Sequence, residues 1–258
     1  MKRVTINHWS DLHIEERGGP NFNWTKRLVE FTLEETSPDA VTLITGDVVD
    51  DGEPAQYRAA LEVLEPLARN RHVIVAPGNH DYRESGTFYS AGGQARWEDF
   101  RERLTKVAWG YPYTFDLDHG VRLHVLDSCA QVDDYTSMAK GKVGLAQRLE
   151  LARSLDADRH NIVALHHHPW DTGFGLKLED AEAVLATLSG RCAALLFGHK
   201  HQWSAWSGLY GIGRIYSSGK VTGVIRDPDL GPCVDFRQVT VGEDGRVDAS
   251  RVRVPLQT

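Results

Sequence analysis

Aspartate, histidine and a single asparagine recur along this chain in five short bursts, each directly after an apolar run. Residues 4–9 lead into Ser10-Asp11-Leu12-His13, residues 40–45 into Gly46-Asp47-Val48-Val49-Asp50, and residues 72–76 into Pro77-Gly78-Asn79-His80-Asp81. Residues 161–165 lead into His166-His167-His168-Pro169, and residues 193–197 into Gly198-His199-Lys200-His201. Carboxylate, imidazole and one amide, without thiolate, form a hard-to-borderline donor set that suits Mn, Fe, Zn or Co. It does not suit a cysteine-rich structural zinc. Asp11 and His13 are two apart, as are His199 and His201. On extended backbone each such pair points to one side and can serve a common centre. Gly46, Gly78 and Gly198 precede donors, where the backbone must turn tightly or approach closely.

Donors this far apart in sequence meet only if strands deliver them to one edge. The five apolar runs are short, β-branched or leucine-rich, and bounded by Gly, Pro and Asp, which reads as buried strands. Open α/β sheets bind ligands just past the carboxyl ends of their strands. Helical spacing predicts helices over 24–35, 53–68, 94–104, 145–155 and 180–188. Pro54 suits the first turn of the second, and Pro66 should end or kink it. Strand–helix–strand order implies parallel pairing in a layered α/β fold. Beyond residue 112 β character rises, over 113–117, 121–127, 214–218, 233–241 and 246–254. These stretches predict a second sheet packed on the first, in one domain spanning 1–258. Residues 82–112, with Gly86, Gly92, Gly93 and several aromatics, read as a lid or cap rather than core.

Composition narrows the partners. The 258 residues are 41% apolar and 25% charged, with a net charge of −7. That leaves no basic footprint for extended nucleic acid. No stretch approaches the roughly 18 apolar residues of a membrane helix, so no membrane partner is expected. Lys2 and Arg3 pass straight into a strand-like run without the apolar segment of a signal peptide. Cys129, Cys192 and Cys233 are odd in number and lie in or beside apolar runs, which reads as buried free thiols. A cytoplasmic location is the expectation, and a homo-oligomer stays open.

Taken together, the bursts resemble the signature of the calcineurin-like metallophosphoesterase family. That signature is Asp-x-His, Gly-Asp-x-x-Asp, Gly-Asn-His-Asp/Glu, a histidine after a strand, and Gly-His-x-His, and all five parts stand here in order within residues 8–201. Any one of them alone is weak. The resemblance implies an α/β fold with four α/β/β/α layers, a two-sheet β-sandwich flanked by helices, holding two metal ions at strand C-terminal ends. It implies one metal on Asp11, His13 and His201, another on Asn79, His199 and one histidine of the run, and Asp47 bridging both. Family members place that histidine just before a small or apolar residue and a proline, which favours His167. Alternation along a continued strand puts His166 and His168 on the side opposite His167, and both stay open as alternatives.

The resemblance also implies an activity. A water bridging two divalent cations loses a proton near neutral pH and becomes a nucleophile toward phosphorus. His80 would protonate the leaving alkoxide or hold a phosphoryl oxygen, Asp81 would orient His80, and Asp50 would orient a metal ligand. The motifs are most similar to the branch with cyclic-nucleotide and glycerophosphodiester phosphodiesterases, so the expected substrate is a small phosphodiester such as a cyclic nucleotide. A broad phosphomonoesterase and a non-catalytic scaffold of the same fold are the alternatives.

Each of these residues has a plainer reading. Tyr82, Trp170 and Trp203 follow the bursts closely and would stack on a flat leaving group, or simply pack in the core or rim. Asp50 and Asp81 could cap helices. Asp127 is expected to make a structural hydrogen bond. His8, His72, His119, His124 and His160 lack motif context and read as ordinary surface or packed histidines. Arg83 and Lys177 could hold a substrate anion, but solvated surface charge is the better reading.

Overall fold

The computed structural model describes residues 2–84, 88–108, 110–129, 139–170, 176 and 178–256. The chain begins with β1 (Arg3–Trp9), α1 (Pro20–Glu35), β2 (Val41–Thr45), α2 (Pro54–Asn70) and β3 (Val73–Ala76). The short pair β4 (Arg83–Glu84) and β5 (Phe88–Tyr89) precedes α3 (Ala91–Thr105). Then come β6 (Tyr113–Asp116), β7 (Val121–Val125), α4 (Leu145–Ser154), β8 (His160–Ala164), α5 (Ala181–Leu188) and β9 (Ala194–Phe197). The chain closes with β10 (Ser204–Ser207), β11 (Arg214–Ser217), β12 (Ile225–Asp227), β13 (Gly231–Gly242) and β14 (Val247–Pro255).

Two six-stranded sheets result. One runs β12-β13-β1-β2-β3 with β14 on β13; the other runs β10-β11-β9-β8-β7-β6. Parallel pairing joins β1, β2 and β3 in the first sheet, and β7, β8, β9 and β11 in the second. Alternation along each strand builds the layers. Val41, Leu43, Ile74 and Ala76 face Leu123, Ile162, Ala164 and Leu196 between the sheets. Ile44, Val73 and Val75 turn the other way, onto Leu28, Leu64 and Phe100 of the first three helices. Val163, Leu195 and Phe197 turn outward onto Leu151, Val184 and Leu188 of α4 and α5. The expected α/β/β/α sandwich is therefore present, with every layer boundary apolar.

Three local expectations need correction. The late strands do not all join the second sheet: β13 pairs antiparallel with β1, from Arg3↔Gly242 to His8↔Arg237, and β14 pairs with β13. Periodicity shows that a strand has a buried face but not which edge it covers, and here it covers the open edge of β1. Pro66 does not end α2, which runs on to Asn70. It lies in the last two turns, where a missing N–H removes one bond and little helix follows. Finally, the 82–112 segment, read as a lid or cap rather than core, contributes part of α3 to the core. Trp97, Phe100 and Leu104 of α3 are buried in the same apolar cluster as α1 and α2. Gly86 of that segment lies outside the described residues, as does Lys177. The three cysteines are free and buried, as read from the sequence.

Candidate metal centre

The five bursts meet where the carboxyl ends of the two sheets come together. From the first sheet, residues 10–14 run beside residues 46–50: Asp11 N donates to Gly46 O at 3.0 Å, His13 N to Asp47 O at 2.9 Å and Ile14 N to Val48 O at 3.0 Å. From the second sheet, Gly198 N donates to His166 O at 3.1 Å, and the His199 N–H reaches both Asp11 carboxylate oxygens at 3.2 Å. Extended backbone does not aim the paired donors, contrary to expectation. Asp11, His13, Asp47, His199 and His201 all sit at positive φ, between 46° and 75°. Each such non-glycine residue costs roughly 1–2 kcal/mol, and strain of this kind persists where surroundings over-determine it. Leu12, between two of them, is buried in the helix-side core, so the twist separates donor from core side chains.

Three candidate donor groups form among the described residues; His13, Asp50 and His80 make one, and the other two share Asp47. Asp11, His13, Asp47 and His201 converge in one, and Asp47, His166 and His199 in the other. In the first, His13 Nε2 is 2.9 Å from His201 Nε2, and His201 Nε2 is 3.4 Å from Asp11 Oδ1. In the second, Asn79 Oδ1 lies 3.1 Å from His166 Nε2 and 3.0 Å from His199 Nδ1. His166 Nε2 is 3.3 Å from Asp47 Oδ2. Glycine makes this density feasible: a Cβ on Gly78 would stand 2.2 Å from Asp47 Oδ1, and one on Gly198 would stand 2.6 Å from Asp11 Oδ2.

The histidine run resolves differently from the expectation, since His166 rather than His167 enters the cluster. Ala164 faces between the sheets while Val163 and Leu165 face α4 and α5. His166 keeps the parity of Ala164 and so points at the first sheet, which carries Asp47 and Asn79. His167 turns away, its Nδ1 2.7 Å from Ser128 Oγ. His168 packs edge-on against Trp170 and Phe197.

Outer partners fix the imidazoles. His166 Nδ1–H donates to Thr45 O at 2.7 Å, which turns Nε2 toward the other donors. His13 Nδ1–H donates to Asp50 Oδ1 at 2.9 Å and leaves its Nε2 facing His201. Asp50 is thus bound to a donor histidine and caps no helix; Glu53 occupies the cap of α2. Asp81 departs from expectation too. Its fully buried carboxylate accepts from Val48 N at 2.9 Å, Val49 N at 3.1 Å and Gly78 N at 2.8 Å, tying two donor loops together rather than holding His80. Burial pushes the Asp81 carboxyl up to about 8, with the Asp47 charge adding to it and the backbone donors opposing.

His80 stands edge-on to His13, ring centres 4.5 Å apart, with its backbone N–H donating to Asp47 Oδ1 at 2.9 Å. Its Nδ1 contacts the Asp50 carbonyl, and Arg83 Nη1 lies 2.8 Å from the same nitrogen. A guanidinium only donates. The ring therefore either donates from Nδ1 to Asp50 or accepts there from Arg83, which puts the proton on Nε2. Burial foremost holds its pKa below the ordinary histidine value.

The donors fit divalent cations. Burial opposes charge on Asp11 and Asp47, yet both carboxyls stay below the usual range because hydrogen bonds and charge from the neighbouring imidazoles outweigh it. Burial likewise opposes charge on His166, but the adjacent Asp47 pushes it up to about 9. Carboxylates that draw a proton onto a buried imidazole are carboxylates that would draw a cation into the same space.

The calcineurin-like phosphoesterase profile matches residues 4–203. The chain belongs to the calcineurin-like phosphoesterase family. A probable cyclic nucleotide phosphodiesterase of Rhodococcus erythropolis is 33% identical over 75% of this chain and 64% of its own. A cAMP/cGMP dual specificity phosphodiesterase of Mycobacterium tuberculosis is 30% identical over 64% of this chain and 49% of its own. The chain thus spans between about half and two thirds of the length of these relatives. Among solved structures, a dimetal phosphatase from Danio rerio superposes with a TM-score of 0.62 at 15% identity, covering 97% of this chain and 99% of that one. At that identity the likeness concerns the fold.

Within this calcineurin-like fold, the expected stacking aromatics are otherwise engaged. Tyr82 is buried in the helix-side core with its hydroxyl donating to Asp127 Oδ2 at 2.6 Å, so it offers no face to a substrate. That bond and the Cys129 N–H at 2.7 Å give Asp127 the structural role expected of it. Trp203 lies under two guanidinium groups, Arg251 at 4.6 Å and Arg237 at 5.4 Å from its ring centre. Trp170 packs among His168, Trp206 and Tyr210 on the helix side of the second sheet. Sequence reading passed over Thr45, whose contribution is a backbone carbonyl, and no residue type signals that.

Proposed function

We propose that this protein is a metal-dependent phosphoester hydrolase acting on a small phosphodiester, with cyclic nucleotides the favoured class. The observation that carries the reading is Asp47 shared by two donor groups, which is the arrangement two adjacent cations need. Asp11, His13, Asp47 and His201 would hold one ion, and Asp47, Asn79, His166 and His199 the other. Bound there, the pair would supply charge neutralisation and a more acidic water. The names of the relatives, cyclic nucleotide phosphodiesterases, favour the diester over the monoester.

The chain's own residues do the positioning. Asp50 and the Thr45 carbonyl lock the donor tautomers, so that lone pairs rather than protons face the centre. His80 is the proton carrier for the leaving oxygen: as the imidazolium it would keep Nδ1–H on the Asp50 carbonyl, give up the Nε2 proton to the leaving oxygen and end as the neutral ring. No helix among the described residues is long and apolar enough to cross a membrane.

The test is an assay panel on protein loaded with manganese: cyclic AMP, cyclic GMP, bis-p-nitrophenyl phosphate and p-nitrophenyl phosphate. Turnover of the diesters, abolished by chelator and restored by metal, is the expected result. Hydrolysis of the monoester alone would sink the diesterase reading. Stable folding with no metal bound and no turnover would revive the scaffold alternative.

A further inference from the structure

The loop after β11 brings a cation to the open side of the centre. Residues 218–223 are laid along residues 10–13: Val221 N donates to Ser10 O at 3.1 Å and Thr222 Oγ1 to Leu12 O at 3.0 Å. Ser218 N is anchored on Phe197 O at 2.8 Å, and Gly223 N closes the turn on Lys220 O at 2.9 Å. Lys220 therefore sits on a turn pinned to both sheets at the donor loops, and it is half-buried there.

Strand β11 runs parallel to β9, whose carboxyl end leads into His199 and His201, so the turn leaves its sheet at the same edge as those donors, and its bonds to Ser10 and Leu12 set it beside Asp11 and His13. Asp50 and His201 are where the centre opens to solvent, with 32% and 44% of their side chains exposed, while Asp11, Asp47 and His166 are closed off. Among the described residues no hydrogen bond or ion pair engages the Lys220 side chain. A half-buried lysine on an anchored turn, beside the mouth of a site and without an ion-pair partner, is placed to meet an anion.

We infer that Lys220 holds a non-bridging phosphoryl oxygen of the bound ester and so sets affinity for phosphate-bearing ligands. The inference rests on the phosphoester reading above. An ammonium acts here as a compact point charge and needs no fixed bidentate geometry. It is a binding residue: the cations and His80 meet the reacting atoms, and Lys220 meets the group they act on.

The experiment compares Lys220→Ala and Lys220→Arg with the parent chain, all loaded with manganese. It reads KM and kcat for bis-p-nitrophenyl phosphate, binding of inorganic phosphate by calorimetry, and metal content. In Lys220→Ala, KM and the phosphate dissociation constant should each rise roughly tenfold, with kcat falling less, and Lys220→Arg should recover most of the loss. Unchanged phosphate binding in Lys220→Ala overturns the inference. Loss of metal in Lys220→Ala also overturns it, since the lysine would then only support the donor loops. Failure of the phosphoester reading is seen separately, as absence of turnover in the parent protein; phosphate calorimetry still reports on Lys220 in that case.

Discussion

At the scale of single residues, the centre is decided by where nitrogen lone pairs point. His166 and His167 are adjacent and both fully buried, yet only His166 has one nitrogen bound to a carbonyl and the other among donors. His166→Ala should lose about one metal equivalent and lower turnover at least about a hundredfold. His167→Ala should keep its metals and instead destabilise the fold by roughly 2–3 kcal/mol through the cavity it leaves. Metal analysis with thermal denaturation separates the two, and the reverse pattern would mean the donor is misassigned. His80→Ala should retain both metals while turnover drops by roughly 10²–10⁴; metal loss in that variant would make His80 a ligand.

At the scale of elements, short strands deliver the donors and tight turns aim them. The strand ends are held by bonds across loops, such as the Asp81 carboxylate joining residues 48, 49 and 78. That density leaves no room for a methyl group at Gly78, where a Cβ would meet the Asp47 backbone N at 2.4 Å as well as its carboxylate. Gly78→Ala should lower stability by about 1–3 kcal/mol and weaken metal binding through displaced Asp47. Gly110→Ala, where nothing lies within 4 Å, is the matched control and should change neither. Equal metal affinity in both variants would show that the loops can yield, against the close packing seen here.

At the scale of the whole molecule, histidines outside the donor set make the fold sensitive to acid. Burial, foremost, holds His8 down to about 3, and it also lowers His72 and His124. A histidine kept neutral in the fold contributes fully above its unfolded pKa near 6.5. Below that, the unfolded chain takes up a proton that the fold refuses, and stability falls by about 1.4 kcal/mol per pH unit per group until the folded pKa is reached. Urea unfolding of metal-free protein should therefore give a lower free energy at pH 5.5 than at pH 7.5. His124→Gln, whose parent ring bonds Asn161 Oδ1 at 3.1 Å, should recover part of that difference; an unchanged difference would rule out a neutral buried His124.

Much of this protein was legible in its sequence, because chemistry here is written in residue types at strand ends. Apolar runs closed by Asp, His and Asn mark both the parallel strands and the donors, and hydrophobic spacing marks the helices that cover the sheets. What it could not supply was direction and pairing. Identical side chains at 166 and 167 differ only in which face of the sandwich they meet, and that face exists only once the first sheet brings Asp47 and Asn79 opposite β8. Tyr82 looks like a binding aromatic until Asp127, 45 residues away in sequence, accepts its hydroxyl in the core. β13 looks like any late strand until it takes the edge of β1. Lys220 carries no motif at all, and only the bonds from its loop to residues 10 and 12 place its turn beside the donor loops. Sequence determines which groups can do the chemistry; long-range packing determines which of them face one another.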